Sequence, residues 1–164
     1  MITDVPSSSV NALSKALKEI DIDVNPSPFK ARTLSCTGKN FCKYAVSETK
    51  DLASRLVAHL QNRFPDFKEP LSFSVNGCSH SCAHPHVVDI GLLGCKVESN
   101  RKYVSGFELI LGGHLEGDKS NFAKSTGIKF IPEDACQIVE NIIESYLNSH
   151  YKNFHDYATG KIYG

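Results

Sequence analysis

Between residues 7 and 20 the apolar positions Val10, Leu13, Leu17 and Ile20 fall at helical spacing, with Lys15 and Lys18 on the other face. That pattern predicts a short amphipathic helix with a serine available as its N-cap. "DIDVNPSPFKART" then breaks any helix with two prolines and several Asp or Asn turn formers, giving an extended linker and a seam near residues 25–33. From 41 to 62, Ala45, Thr49, Leu52, Ala53, Leu56, Val57 and Leu60 keep a 3.6-residue rhythm until Pro65 stops it. Cys42 is therefore expected in the first turn of a long helix, where backbone amides and the helix dipole favour a thiolate.

The period changes downstream. "PLSFSVNG" alternates Leu71, Phe73 and Val75 as a strand does, and delivers the chain to Cys78. "VVDIGLLG" and "YVSGFELILGG" are two further strands. Pro132 at an expected first helical position, followed by Glu133 and Asp134, opens a helix with Ala135, Ile138, Val139, Ile142 and Tyr146 as its buried stripe. Mixed strands and helices predict an α/β (α+β) domain, a mixed sheet flanked by helices, rather than a bundle or a sandwich.

Composition narrows the function classes. The 164 residues are 41% hydrophobic and 22% charged, enough for one hydrophobic core. Eighteen basic residues balance eighteen acidic ones without a run of like charge, which argues against nucleic acid or an anionic membrane as partner. No apolar stretch approaches the roughly 20 residues of a membrane span, and "MITDVPSSSV" lacks the features of a signal peptide, so a cytoplasmic location is expected. In a reducing compartment six cysteines are not a disulfide framework; they are ligands, redox groups or small buried hydrophobes.

Four of them form two tight pairs, Cys36-x5-Cys42 and Cys78-x3-Cys82. By count, four thiolates suit either a structural zinc or an iron-sulfur cluster. Five intervening residues are wider than an ordinary zinc half-site, and Gly38 and Gly77 remove side chains where a bulky inorganic group would approach the main chain. Cys95 and Cys136 read instead as small core residues. His84 and His86, beside Pro85, read as surface or supporting groups, and His114 follows the Gly112-Gly113 pair at a strand end.

"CTGKNFCKYAVSETK" at 36–50, "NGCSHSCAHPHVVDIGLLGC" at 76–95 and "GFELILGGHL" at 106–115 resemble, in order and spacing, the siroheme and 4Fe-4S half of the nitrite and sulfite reductase family. The similarity runs from "ITDVP" to "NFHDYATG". It implies that Cys36, Cys42, Cys78 and Cys82 ligate a 4Fe-4S cluster, and that Cys82 also bridges to a siroheme iron. Lys39, Asn76, Gly77 and His80 are the further cofactor-binding residues expected. The reaction implied is six-electron reduction of sulfite or nitrite, with ferredoxin or a flavoprotein as electron donor.

Residues 1–30 are expected to be a helix and linker forming the tail of an earlier, ferredoxin-like half, and 31–164 the 4Fe-4S domain. The family's substrate-holding cations lie mainly in that earlier half, so no catalytic residue is assigned here. The chain is expected to be either a fragment or a separately encoded half that shares catalysis with another polypeptide, or a half that self-associates in place of the missing one. The rival expectation is a non-catalytic iron-sulfur electron-transfer or scaffold module without siroheme. One local departure bears on the cofactor: where the family has G-C-P-N-x-C, this chain has Gly77-Cys78-Ser79-His80-Ser81-Cys82.

Overall fold

One mixed sheet, in chain order, organises the computed structural model, which describes residues 2–115 and 117–163. Its strands are β1 (Thr33–Ser35), β2 (Phe73–Asn76), β3 (Ile90–Ser99), β4 (Lys102–Leu111) and β5 (Lys124–Phe130). β1, β2 and β3 run parallel, whereas β3 to β4 and β4 to β5 are antiparallel. The helices are α1 (Val10–Glu19), α2 (Pro28–Ala31), α3 (Lys50–Arg63), α4 (Ala135–Leu147) and α5 (Phe154–Tyr163). The expected mixed sheet with flanking helices is what forms.

Side-chain alternation divides the sheet into two chemically different faces. Phe73, Val75, Ile90, Leu92, Phe107 and Leu109 are at most 1% exposed and pack with Leu52, Leu56 and Leu60 of α3, Val139 and Ile143 of α4, and Phe154 and Ala158 of α5. The next residues in β2, Ser74 and Asn76, are equally buried yet polar, so that face is covered by hydrogen-bonding loops rather than apolar helices. All four residues of β2 are buried, as a central strand covered on both sides requires.

Several expectations are corrected. The supposed linker contains α2: Ser27 Oγ accepts from Lys30 N at 3.2 Å, Pro28 takes an early helical position, and Phe29 is driven into the core, stacked on Phe67. The helix expected over 41–62 starts only at Lys50, because the Glu48 carboxylate accepts from Lys50 N and Asp51 N, each at 3.0 Å, and so caps the helix there. Residues 41–49 form turns, so Cys42 lies outside α3 and the helix-dipole reading of its thiol does not apply.

Pro132 lies in a turn before α4 rather than at its first position, and Ile138 and Ile142 are only partly buried. Glu140 and Ile143 are buried in α4 instead. Glu140 is tolerated because Arg63 and His59 of α3 reach it, at 2.7 and 2.5 Å. The predicted N-terminal helix forms as α1, but none of its residues is buried, and Val10 and Ile20 are 46% and 66% exposed.

Candidate metal centre

The two cysteine pairs sit where the parallel strands end. Cys36 directly follows β1 and remains in register, its N–H donating to Val75 O at 3.1 Å. Cys78 follows β2 after a single glycine. Carboxyl ends of adjacent parallel strands are a recurrent ligand position in open sheets, because the connecting loops splay apart there. Cys36, Cys42, Cys78 and Cys82 all line one cavity of ≈ 100 Å³, with Tyr44, Ala45, Asn76, Gly77 and His80.

The loop carrying Cys42 is held by backbone contacts rather than by a helix. Gly38 turns with φ +71, and Cys42 N–H donates to Gly38 O at 3.0 Å. A Cβ at Gly38 would come within 2.6 Å of Thr49 Oγ1, which itself donates to Cys36 O at 2.7 Å. Val46 N–H and Ser47 N–H then both donate to Gly77 O, at 2.7 and 3.2 Å, tying the first cysteine loop to the second. Ser47 Oγ donates to Gly106 O at 2.7 Å and Ser105 Oγ to Val46 O, which fixes the same segment to β4.

Gly77 is the pivot. Its N–H donates to Cys36 Sγ at 3.2 Å, which ties the second cysteine loop to the first. A Cβ there would come within 2.8 Å of Ala45 Cβ and of Ser47 O, so no other residue lets the two loops meet. Asn76 lines the cavity, and its amide frames the Cys78–Cys82 turn: its Oδ1 accepts from Ala83 N at 2.8 Å and its Nδ2 donates to Ser74 Oγ at 2.8 Å. Ser81 and His84 adopt left-handed φ of 57 and 54, so the turn around Cys82 is sharply folded without glycine.

His80 Nδ1 lies 3.4 Å from Cys78 Sγ, and its ring packs on Tyr44 with centroids 5.3 Å apart. Cys36, Cys42 and Cys78 are partly buried and Cys82 is exposed, which makes Cys82 the outermost thiol. Lys39 is exposed and outside the cavity lining, so only its charge and place on the loop relate it to the site. All six cysteines are free, and burial pushes the thiols of Cys95 and Cys136 up, in keeping with their reading as small packing residues.

These donors suit a cluster better than a single ion. A tetrahedral zinc with Zn–S bonds of about 2.3 Å draws four sulfurs to within about 4 Å of one another. Among the described residues, the grouping of three donor atoms within 4.8 Å is Asp89, His114 and His155, with no cysteine in it. All four cysteines line one cavity, and no cysteine sulfur belongs to that three-donor grouping. Sequence reasoning did not single out Asp89 or His155; nothing in local spacing joins them to His114.

Comparison with known proteins matches residues 29–159 to the family model described as the nitrite and sulphite reductase 4Fe-4S domain. A sulfite reductase [ferredoxin] of Mycolicibacterium paratuberculosis is 33% identical over 153 residues, covering 90% of this chain and 27% of that protein. A ferredoxin–nitrite reductase of Leptolyngbya laminosa is 37% identical over 146 residues, covering 89% of this chain and 28% of that protein. The solved structure of Mycobacterium tuberculosis NirA protein superposes with a TM-score of 0.86 at 27% identity, over 95% of this chain and 30% of that one. The chain thus spans somewhat more than a quarter of the length of the relatives it matches.

Proposed function

Because the chain belongs to the nitrite and sulphite reductase 4Fe-4S domain family, we propose that Cys36, Cys42, Cys78 and Cys82 would hold a 4Fe-4S cluster and that Cys82 would also hold a siroheme. What supports this ligand set is the convergence of both cysteine pairs on one cavity, with Gly77 N–H directed at Cys36 Sγ. When bound, the coupled cluster and siroheme supply electrons for the six-electron reduction of sulfite or nitrite.

The chain's own residues orient and tune that centre. Gly77 N–H donates to Cys36 Sγ and the His80 ring stands 3.4 Å from Cys78 Sγ, so both groups lie against the proposed ligand sulfurs. Asn76 holds the turn that presents Cys82 outward, where a flat macrocycle can approach. Lys39 and Lys43, both exposed on the first cysteine loop, offer cations to the siroheme carboxylates.

The electron donor is a ferredoxin, the donor specified in the names of the sulfite and nitrite reductases it resembles. The groups that hold the substrate anion lie largely outside these 164 residues, which span about 27% of a matched sulfite reductase, and the unburied apolar positions of α1 favour a covering surface there. No described helix is long and apolar enough to cross a membrane, in keeping with the cytoplasmic setting we propose.

Anaerobic reconstitution with ferrous iron and sulfide, followed by siroheme, tests the assignment. The expected result is four irons and four sulfides per chain, with siroheme retained by the wild type and lost from Cys82→Ser. A cluster that forms but never retains siroheme would favour the electron-transfer module; one zinc per chain with no iron uptake would overturn the ligand assignment.

A further inference from the structure

At the far end of the sheet from the cysteines, three potential ligands converge that the cluster does not use. Asp89 immediately precedes β3, His114 lies three residues beyond β4, and His155 is in the first turn of α5. One ligand atom from each lies within 4.8 Å of the others. β3 and β4 are antiparallel, so the start of one and the end of the other fall side by side, and Gly112 N–H donates to Asp89 O at 3.0 Å.

We propose that Asp89, His114 and His155 form a second metal site, for a divalent transition ion of the zinc class. Two imidazoles and one carboxylate are a known donor set for zinc and for ferrous iron, and they leave coordination positions open. This site is independent of the cluster reading: it contains no cysteine and lies beside Ser72, at the opposite end of β2 from Cys78.

The carboxylate is built in. Asp89 is only 7% exposed, and its Oδ2 accepts from Ser72 N at 2.8 Å and from Ser72 Oγ, leaving Oδ1 for an ion. Ligating carboxylates are commonly oriented by such hydrogen bonds. His114 is equally fixed: its N–H donates to Asn121 O at 2.9 Å and its C=O accepts from Asn121 N at 3.0 Å. A Cβ at the preceding Gly113 would come within 2.6 Å of His86 O, so the strand end is pressed against the chain that leads to Asp89. The rings of His114 and His155 face each other at 4.7 Å between centroids.

The site opens into a cavity of ≈ 620 Å³ that Arg32 and Lys152 also line. A metal bound by a single carboxylate keeps a net positive charge. Together with the two cations, it selects an anion or hydroxide for the open position.

Titration calorimetry with Zn²⁺ on the cluster-loaded full chain tests the proposal. Wild type should take up one more zinc than His114→Ala or His155→Ala. Ser72→Ala should keep the stoichiometry and weaken that zinc by about 10–100-fold, the usual effect of removing a carboxylate's orienting partner. Equal stoichiometry and affinity in wild type and both histidine variants would overturn it, as would binding of inorganic phosphate with no uptake of zinc. Histidine hydrogen–deuterium exchange on the unmutated chain reads the same point without a folding risk. Zn²⁺ should slow His114 and His155 and leave exposed His84 unchanged; no slowing at either would sink the site.

Discussion

Gly94 of β3 lies so close to the peptide of Gly77 that a Cβ on Gly94 would sit 2.3 Å from Gly77 C and 2.4 Å from Gly77 O. Gly77 O is also the acceptor for Val46 and Ser47 of the first cysteine loop. Two glycines on neighbouring segments therefore set the spacing of both cysteine pairs. Gly94→Ala should push Gly77 outward and destabilise the chain by about 1–3 kcal/mol, the usual cost of overpacking. Its effect on iron content after reconstitution should exceed its effect on the thermal midpoint; an unchanged iron content would show that Gly94 does not position the loop.

The cysteines should divide cleanly. Single Ser substitutions at Cys36, Cys42 or Cys78 should abolish or severely bleach the cluster absorbance, whereas Cys95→Ser and Cys136→Ser should leave it intact. The latter two should cost about 1 kcal/mol in denaturant unfolding, as for a small buried apolar group made polar. Loss of the cluster in Cys136→Ser would contradict the ligand set.

Asn76→Ala removes the partner of a buried backbone amide, Ala83 N–H, and should destabilise by about 1–3 kcal/mol. Asn76→Asp should do nearly as badly on the other side. It keeps an acceptor for Ala83 N but replaces the donor to Ser74 Oγ, whose hydroxyl already donates to Ala83 O. Urea unfolding of the two variants distinguishes a framing role from direct cofactor contact, since only the former lowers stability before any cofactor is added.

His80 bears on redox tuning. His80 Nδ1 lies 3.4 Å from Cys78 Sγ, and in the tautomer with its proton on Nδ1 the ring would donate to that sulfur and favour the more negative, reduced form of the proposed cluster. His80→Ala should therefore lower the midpoint potential in an anaerobic redox titration, and His80→Asn should restore part of it. A potential unmoved by either change would mean that the ring serves only its packing against Tyr44.

Acid should weaken the contact between α3 and α4. Hydrogen bonds from Arg63 and then His59 hold the Glu140 carboxyl below the ordinary carboxylate range. A carboxyl depressed in the folded state stabilises above its unfolded value and loses that contribution as pH falls through its folded value. Thermal midpoints of wild type should exceed those of Glu140→Gln at neutral pH, and the gap should close as the solution is made acid. A gap that stays constant with pH would rule out the Glu140 carboxylate as its source.

The four cysteines are legible in the sequence because each pair is local and the blocks around them keep a family's order. β3 and β4 are legible because ten-residue strands carry enough apolar positions to declare themselves. β1 has three residues and β5 is mostly exposed, so neither has a hydrophobic pattern to read; their strands exist because neighbours supply the ladder. The start of α3 is hidden because Ala45 and Thr49 fall in phase with its stripe, while a side-chain cap from Glu48 decides the boundary. The grouping of Asp89 and His155 with His114 is hidden for a different reason. They share no spacing, and only the antiparallel return of β4 and the docking of α5 bring them together.

The hydrogen bond from Gly77 to Cys36 closes 41 residues of chain, and the whole of α3 lies inside that closure. Contacts so distant in sequence form late, after local helices and after the entropy of loop closure has been overcome. Neither cysteine pair has its final shape until β1 and β2 have met around α3. Both cysteine loops therefore take shape in one long-range step rather than as two independent local turns.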